Sequence, residues 1–161
     1  MHTPNKFELI FQIHEEQKVD KKKIVSQKIK VDGDEINSIH AVDLGYLVKS
    51  LYQEGEFYIF TCGCGDAGCA GIDEGVNISF DNNLINWRLR NPISFSGFES
   101  CETWKKSSKF IEYSFEKELM IKNIICSIKN IKNLTNFLTH EFVPEGMEWK
   151  HLDLLLSNIH K

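Results

Sequence analysis

The chain has little arginine. Of its nineteen basic residues only Arg88 and Arg90 are arginine, and the formal net charge is -4. Nucleic-acid readers use guanidinium forks on phosphates and guanine edges, and phosphate attraction supplies much of their affinity. These two shortages argue against nucleic acid as a partner. Long apolar runs are missing as well. Nothing approaches the roughly 20 residues of a membrane-spanning helix, so no membrane association is expected. The opening residues, Met1-His2-Thr3-Pro4-Asn5-Lys6, contain no basic region leading into a hydrophobic stretch, which predicts a cytoplasmic protein. Catalytic signatures are equally scarce. There is no G-x-G-x-x-G, no phosphate-binding P-loop and no H-E-x-x-H. No internal repeat or low-complexity tail interrupts the chain.

What is present describes an ordinary globular protein. The 161 residues are 42% apolar and 26% charged, enough to bury roughly 70% of the unfolded surface in one domain. Phe7, Leu9, Phe11 and Ile13 alternate with polar residues and predict a half-buried strand. A charged tract from His14 to Lys23 reads as a hairpin loop. Val25, Ile29 and Val31 then face one way and Lys28 and Lys30 the other, and Asp32-Gly33-Asp34 offers a tight turn. Leu44, Leu47, Val48 and Leu51 fall at helical spacing, with Asp43 or Ser38 as the cap.

Phe57-Tyr58-Ile59-Phe60 reads as one strand buried on both faces, and Val76, Ile78 and Phe80 as a strand with one face in the core. Together they predict a hairpin with a long loop. Ile85, Trp87 and Leu89 continue after the Asp81-Asn82-Asn83 turn, with Trp87 read as core, and Phe110 to Phe115 adds a further strand. Residues 93 to 108, rich in serine, read as a loop or irregular edge. Ile121, Ile124, Ile125, Ile128, Ile131, Leu134 and Leu138 then predict an amphipathic helix of about six turns, with Cys126 inert beside its stripe. Leu152, Leu155, Leu156 and Ile159 predict a last short helix, with Trp149 leading in. The expected fold is therefore α+β: a single domain over residues 1–161, its sheet mostly antiparallel with helices packed on one face.

The hairpin loop holds Cys62, Cys64 and Cys69, three of five cysteines, and five of ten glycines lie between residues 56 and 80. Three readings compete. On an extended strand Cys62 and Cys64 point to one face, so with Cys69 they offer three thiolates to zinc. Cys101, His14, His40 or Asp66 would then be the fourth ligand, although no second cysteine pair exists. A disulfide is the second reading. Cys62 and Cys64 are too close in sequence for relaxed geometry, which leaves Cys64–Cys69, and an odd cysteine count without an export signal favours reduced thiols. In the third reading the thiols are small hydrophobes in a glycine-stiffened turn, and this reading carries the most weight. None of the six histidines sits in a motif that would make these thiols catalytic.

Charge is uneven along the chain: residues 56–104 carry two bases and seven acids, a net of -5, while residues 105–161 have a net of +2. The loop acids Asp66, Asp73 and Glu74, with Glu56, are thus candidates for meeting a cationic surface.

The stretch from Phe57 to Phe60, with Thr61-Cys62-Gly63-Cys64-Gly65, Gly68-Cys69-Ala70-Gly71, Gly75-Val76 and Trp87, resembles the signature of small uncharacterised bacterial proteins bearing a CxCGxxGCxG hairpin. That likeness spans about the first 90 residues and implies no chemistry. More loosely, the chain is similar to immunity proteins of contact-dependent growth inhibition and other toxin–immunity systems, which are small, acidic and cytoplasmic. That similarity implies a non-enzymatic protein that binds and neutralises a cognate toxin domain, such as a nuclease, without a cofactor. Glu56, Asp66, Asp73 and Glu74 would be the contacts, since an acidic face speeds encounter with a basic toxin. The alternative is a zinc-binding small enzyme or regulator built on Cys62, Cys64 and Cys69.

Overall fold

Short alternating segments joined by tight turns form paired strands, and the two strongly periodic segments near the C-terminal end form helices. The computed structural model describes residues 3–15, 22–37, 40–90, 110–136, 138–144 and 149–159, without the side chains of 149 and 150. The architecture is α+β, with several mostly antiparallel sheets and helices against them. The serine-rich stretch 93–108, Cys101 and most of the charged hairpin loop lie outside the described residues.

The first sheet pairs β1 (Phe7–His14) antiparallel with β2 (Lys23–Val31) over their whole shared length. Asp32 and Gly33 take positive φ of 53° and 93°, the backbone that a two-residue hairpin turn requires, and lead into β3 (Asp34–Glu35) against β2. Val25, Ile29 and Val31 are buried on one face of β2, as their alternation predicts. A second small sheet pairs β4 (Ala41–Val42) with β6 (Phe60–Thr61). The third runs β5 (Gly55–Phe57), β7 (Val76–Asp81), β8 (Leu84–Arg90) and β9 (Phe110–Glu116), all antiparallel. Between β4 and β5 lies α1 (Leu44–Lys49), capped by Asp43, whose Oδ1 accepts the Tyr46 N–H at 2.9 Å.

Two expectations about strands need correction. Residues 57–60 are not one strand. The Ile59 N–H donates to the Phe57 carbonyl at 2.9 Å, which kinks the chain at half-buried Tyr58 and sends β5 and β6 to different sheets. Ile59 remains fully buried, and its carbonyl accepts the Asp43 N–H at 2.8 Å, tying the kink to the start of α1. The second correction concerns β10 (His140–Phe142), a strand that the sequence does not announce. It lies parallel to β2, opposite Lys23–Val25, and continues into the cis Val143–Pro144 peptide.

The long helix α2 (Lys117–Leu134) follows β9 directly and buries Met120, Ile124, Ile128 and Ile131. It covers the free edge of β1: Asn123 Oδ1 accepts the Leu9 N–H at 2.8 Å, and the Ser127 hydroxyl donates to the Leu9 carbonyl at 2.7 Å. An edge strand left with bare backbone groups invites unwanted pairing. The helix is five turns long, not six. Asn136 Oδ1 accepts the N–H groups of Leu138 and Thr139 at 3.0 and 3.1 Å, so a side-chain turn replaces the next helical turn. Leu134 and Leu138, expected on the buried stripe, are 70% and 69% exposed. Helix α3 (Trp149–Ile159) buries Leu152 and Ile159, and the Ile159 carbonyl accepts the Tyr52 hydroxyl at 2.6 Å.

The sheets and helices share one hydrophobic cluster. Trp87 is fully buried, with the rings of Phe115, Phe7 and Phe60 meeting it nearly edge-on at 5.3, 5.9 and 6.5 Å. Edge-to-face contacts add to the burial of such large rings. Among the described residues, no helix is long and apolar enough to cross a membrane.

Candidate functional site

The Cys-Gly loop joins β6 to β7 and is built from two consecutive turns. After Thr61 the Cys62 carbonyl accepts the Gly65 N–H at 3.0 Å, and the Cys62 N–H returns to the Asp66 carbonyl at 3.2 Å. Gly65 closes this first turn at φ 88°, where a side chain would be strained. The Cys64 N–H donates to Cys62 Sγ at 3.2 Å. In the second turn the Ala67 carbonyl accepts from Ala70 and Ile72 at 3.1 and 3.0 Å, and Gly71 takes φ 74°. Ile72 is buried, and Ala67 and Ala70 pack against the core. These apolar anchors seat the second turn and bring Cys69 back over the first.

The result is that Cys62, Cys64 and Cys69 place their sulfurs within 4.8 Å of one another. Tetrahedral zinc with bonds of about 2.3 Å separates its sulfurs by roughly 3.8 Å, so the cluster reaches that scale only once Cys62 and Cys64, bonded to each other here, have parted. Cys64 and Cys69 are exposed and Cys62 is half-buried. Among the described residues no fourth histidine, cysteine or acid joins them. Of the fourth ligands considered, His14 bonds Ser26 Oγ at 2.7 Å, His40 is buried in the core and Asp66 serves its own turn.

Cys62 and Cys64 are bonded to each other as a disulfide, and Cys69 is free. This corrects both the expectation of wholly reduced thiols and the preference for Cys64–Cys69. By sequence, Cys62–Cys64 reads as too close for relaxed geometry. The strand in fact ends at Thr61, and the turn brings the two Cα atoms to 5.3 Å, an ordinary disulfide separation. Cys126 is also free and is exposed on α2.

The four candidate acids are all exposed, and each carboxylate does local work or lies beside a charge that does. Glu56 Oε1 accepts the Gly75 N–H at 2.6 Å. Gly75 has no alternative there, because a Cβ would lie 2.8 Å from the Phe57 backbone. Asp66 Oδ1 accepts the Gly68 N–H at 2.8 Å. Glu74 receives a two-pronged fork from Arg90, with Nε at 2.8 Å and the second nitrogen at 2.6 Å. That hydrogen bonding holds the Glu74 carboxyl below its ordinary range and pushes the Arg90 guanidinium up, with Asp73 adding to the field at Arg90. The Asp73 carbonyl accepts the Tyr58 hydroxyl at 3.2 Å.

Arg90 is thus a residue of this corner that sequence reasoning missed. The only available signal was its place as one of two arginines. Both stack on Phe110, Arg88 at 4.1 Å and Arg90 at 5.7 Å from the ring centre. Beside the loop a cleft lined by Phe57, Tyr58, Phe60, Ile72, Glu74 and Arg90 has about 20 Å³ of space, room for about one water.

Compared with protein families, curated proteins and solved structures, the chain matches none.

Proposed function

We propose that this chain is a metal-binding protein in which reduced Cys62, Cys64 and Cys69 hold one zinc ion on an exposed corner. The observation that supports it is the convergence of three sulfurs within 4.8 Å on turns held by their own backbone bonds. Three thiolates leave one position for water or for a donor from a partner. The test is zinc content of the purified, fully reduced full-length chain. About one zinc per chain is expected, falling to background in Cys64→Ser and Cys69→Ser. Zinc at background in the parent chain, or unchanged in both variants, would sink the reading.

A second reading rests on the exposed acids in and flanking the loop. Exposed Glu56, Asp66, Asp73 and Glu74, with Glu74 held by Arg90, suit the binding of a basic protein surface. In this reading the protein is an immunity protein that covers a toxin domain. Co-expression with a toxin encoded beside it is the decisive measurement. Rescue of growth that weakens when Asp66 and Asp73 are changed to Asn supports this reading, and equal killing with and without the chain ends it.

A further inference from the structure

The three sulfurs have a second chemical state. A disulfide sulfur carries no thiolate charge for a metal, and two of the three ligands are joined as Cys62–Cys64. We propose that this disulfide is the metal-excluding form of the site and that a low-molecular-weight thiol opens it, so that zinc binding is gated by thiol redox state. The proposal rests on the metal-binding reading above.

Three observations support it. Cys64 is exposed, so its sulfur is open to attack, while Cys62 is half-buried. Cys62 Sγ already accepts the Cys64 N–H at 3.2 Å, a hydrogen bond that favours the sulfur which must leave as thiolate. The turns also do not depend on the disulfide. Cys62–Gly65, Cys62–Asp66, Ala67–Ala70 and Ala67–Ile72 backbone bonds, with buried Ile72, hold the loop. Opening the S–S bond therefore leaves the sulfurs gathered beside Cys69.

A thiolate RS⁻ attacks Cys64 Sγ, the Cys62–Cys64 bond breaks, and its electron pair leaves on Cys62 as thiolate. A second RS⁻ attacks the sulfur of the bound R group, forming RSSR and releasing the Cys64 thiolate. Two thiols are oxidised to one disulfide, and the protein disulfide is reduced to two thiolates. Cys69 then loses its proton as the third ligand when zinc binds. In reverse, the Cys64 thiolate attacks RSSR and expels RS⁻. The Cys62 thiolate next displaces the second RS⁻ and closes the bond, zinc leaves, and Cys69 is reprotonated.

The experiment uses the full chain in glutathione buffers of stepped redox ratio, reading zinc content and alkylation of each cysteine together. Cleavage before Asp66 and Asp73 separates Cys69 from the Cys62–Cys64 pair. Under oxidation we expect the Cys62–Cys64 peptide to escape alkylation and the Cys69 peptide to be alkylated. Zinc should fall at least about tenfold and return on reduction. Cys69→Ser should still close Cys62–Cys64 while failing to retain zinc. Zinc retained after the pair has closed, a bond that recruits Cys69, or a pair that stays open in oxidised glutathione overturns the proposal and leaves the metal reading standing. Lack of zinc in the reduced parent chain defeats the metal reading itself, and the gating with it.

Discussion

The Trp87 core and the Cys-Gly loop lie close together along the chain, yet different forces hold them. Around Trp87 the order comes from burial: Phe7, Phe60 and Phe115 arrive from three other strands and meet the indole edge-on. In the loop the order comes from short-range backbone bonds, positive-φ glycines and the buried Ile72, while Cys64 and Cys69 remain exposed. The core therefore resists substitution through its volume. The loop is free to change chemical state because its turns rest on backbone bonds and on Ile72, not on its sulfurs.

The sharpest way to test this contrast is Trp87→Ala, expected to cost about 3–5 kcal/mol because the cavity opens among rings that cannot collapse into it. Urea denaturation measures it, and a loss comparable to that of a surface substitution would break the comparison. Gly75→Ala comes next, at the boundary of the two regions. A methyl group 2.8 Å from the Phe57 backbone must push β5 and β7 apart, with an expected cost of about 1–3 kcal/mol. An unchanged denaturation midpoint would show that this approach is not tight.

Glu74→Gln should cost less than about 1 kcal/mol at neutral pH, since the Glu74 side chain is 42% exposed to water and salt. The sign of its pH dependence follows from the Arg90 fork. Glu74 is held below its ordinary value of 4.5, so its stabilisation is present above that value and is lost as pH falls through the lowered one. The difference between parent and variant should therefore close in acid, and a gap that widened there would contradict the pairing. Smallest of all, Cys69→Ser should change the stability of the metal-free reduced chain by no more than about 0.5 kcal/mol. A large destabilisation would make Cys69 part of the core and remove the contrast.

Much of the fold was legible in the residues. Burial of Val25, Ile29, Ile85, Trp87, Ile124 and Ile128 follows their alternation or helical spacing, because those patterns are local. Asp43 at the cap and the turns at Asp32-Gly33 and Asn82 were readable for the same reason. The candidate site was only half legible. C-x-C-x4-C marked the right sulfurs, but their pairing was misjudged because a separation of two residues reads as too short, whereas the turn after Thr61 brings the two Cα atoms to 5.3 Å. The local bonds made by Glu56 and Glu74 were not visible either, since Gly75 and Arg90 stand 19 and 16 residues away.

By itself, then, the sequence determined most of the buried positions of the regular strands and helices, the turns at Asp32-Gly33 and Asn82, and the three sulfurs that come together. Period, turn chemistry and composition act within a few residues and need no distant partner. Only the tertiary structure decided the pairing of β5 and β6 with different sheets, the parallel pairing of β10 with β2 and the Arg90 fork on Glu74. Each depends on where a particular backbone or side chain arrives in space. That is set by packing the whole chain at once, and no short stretch of sequence encodes it.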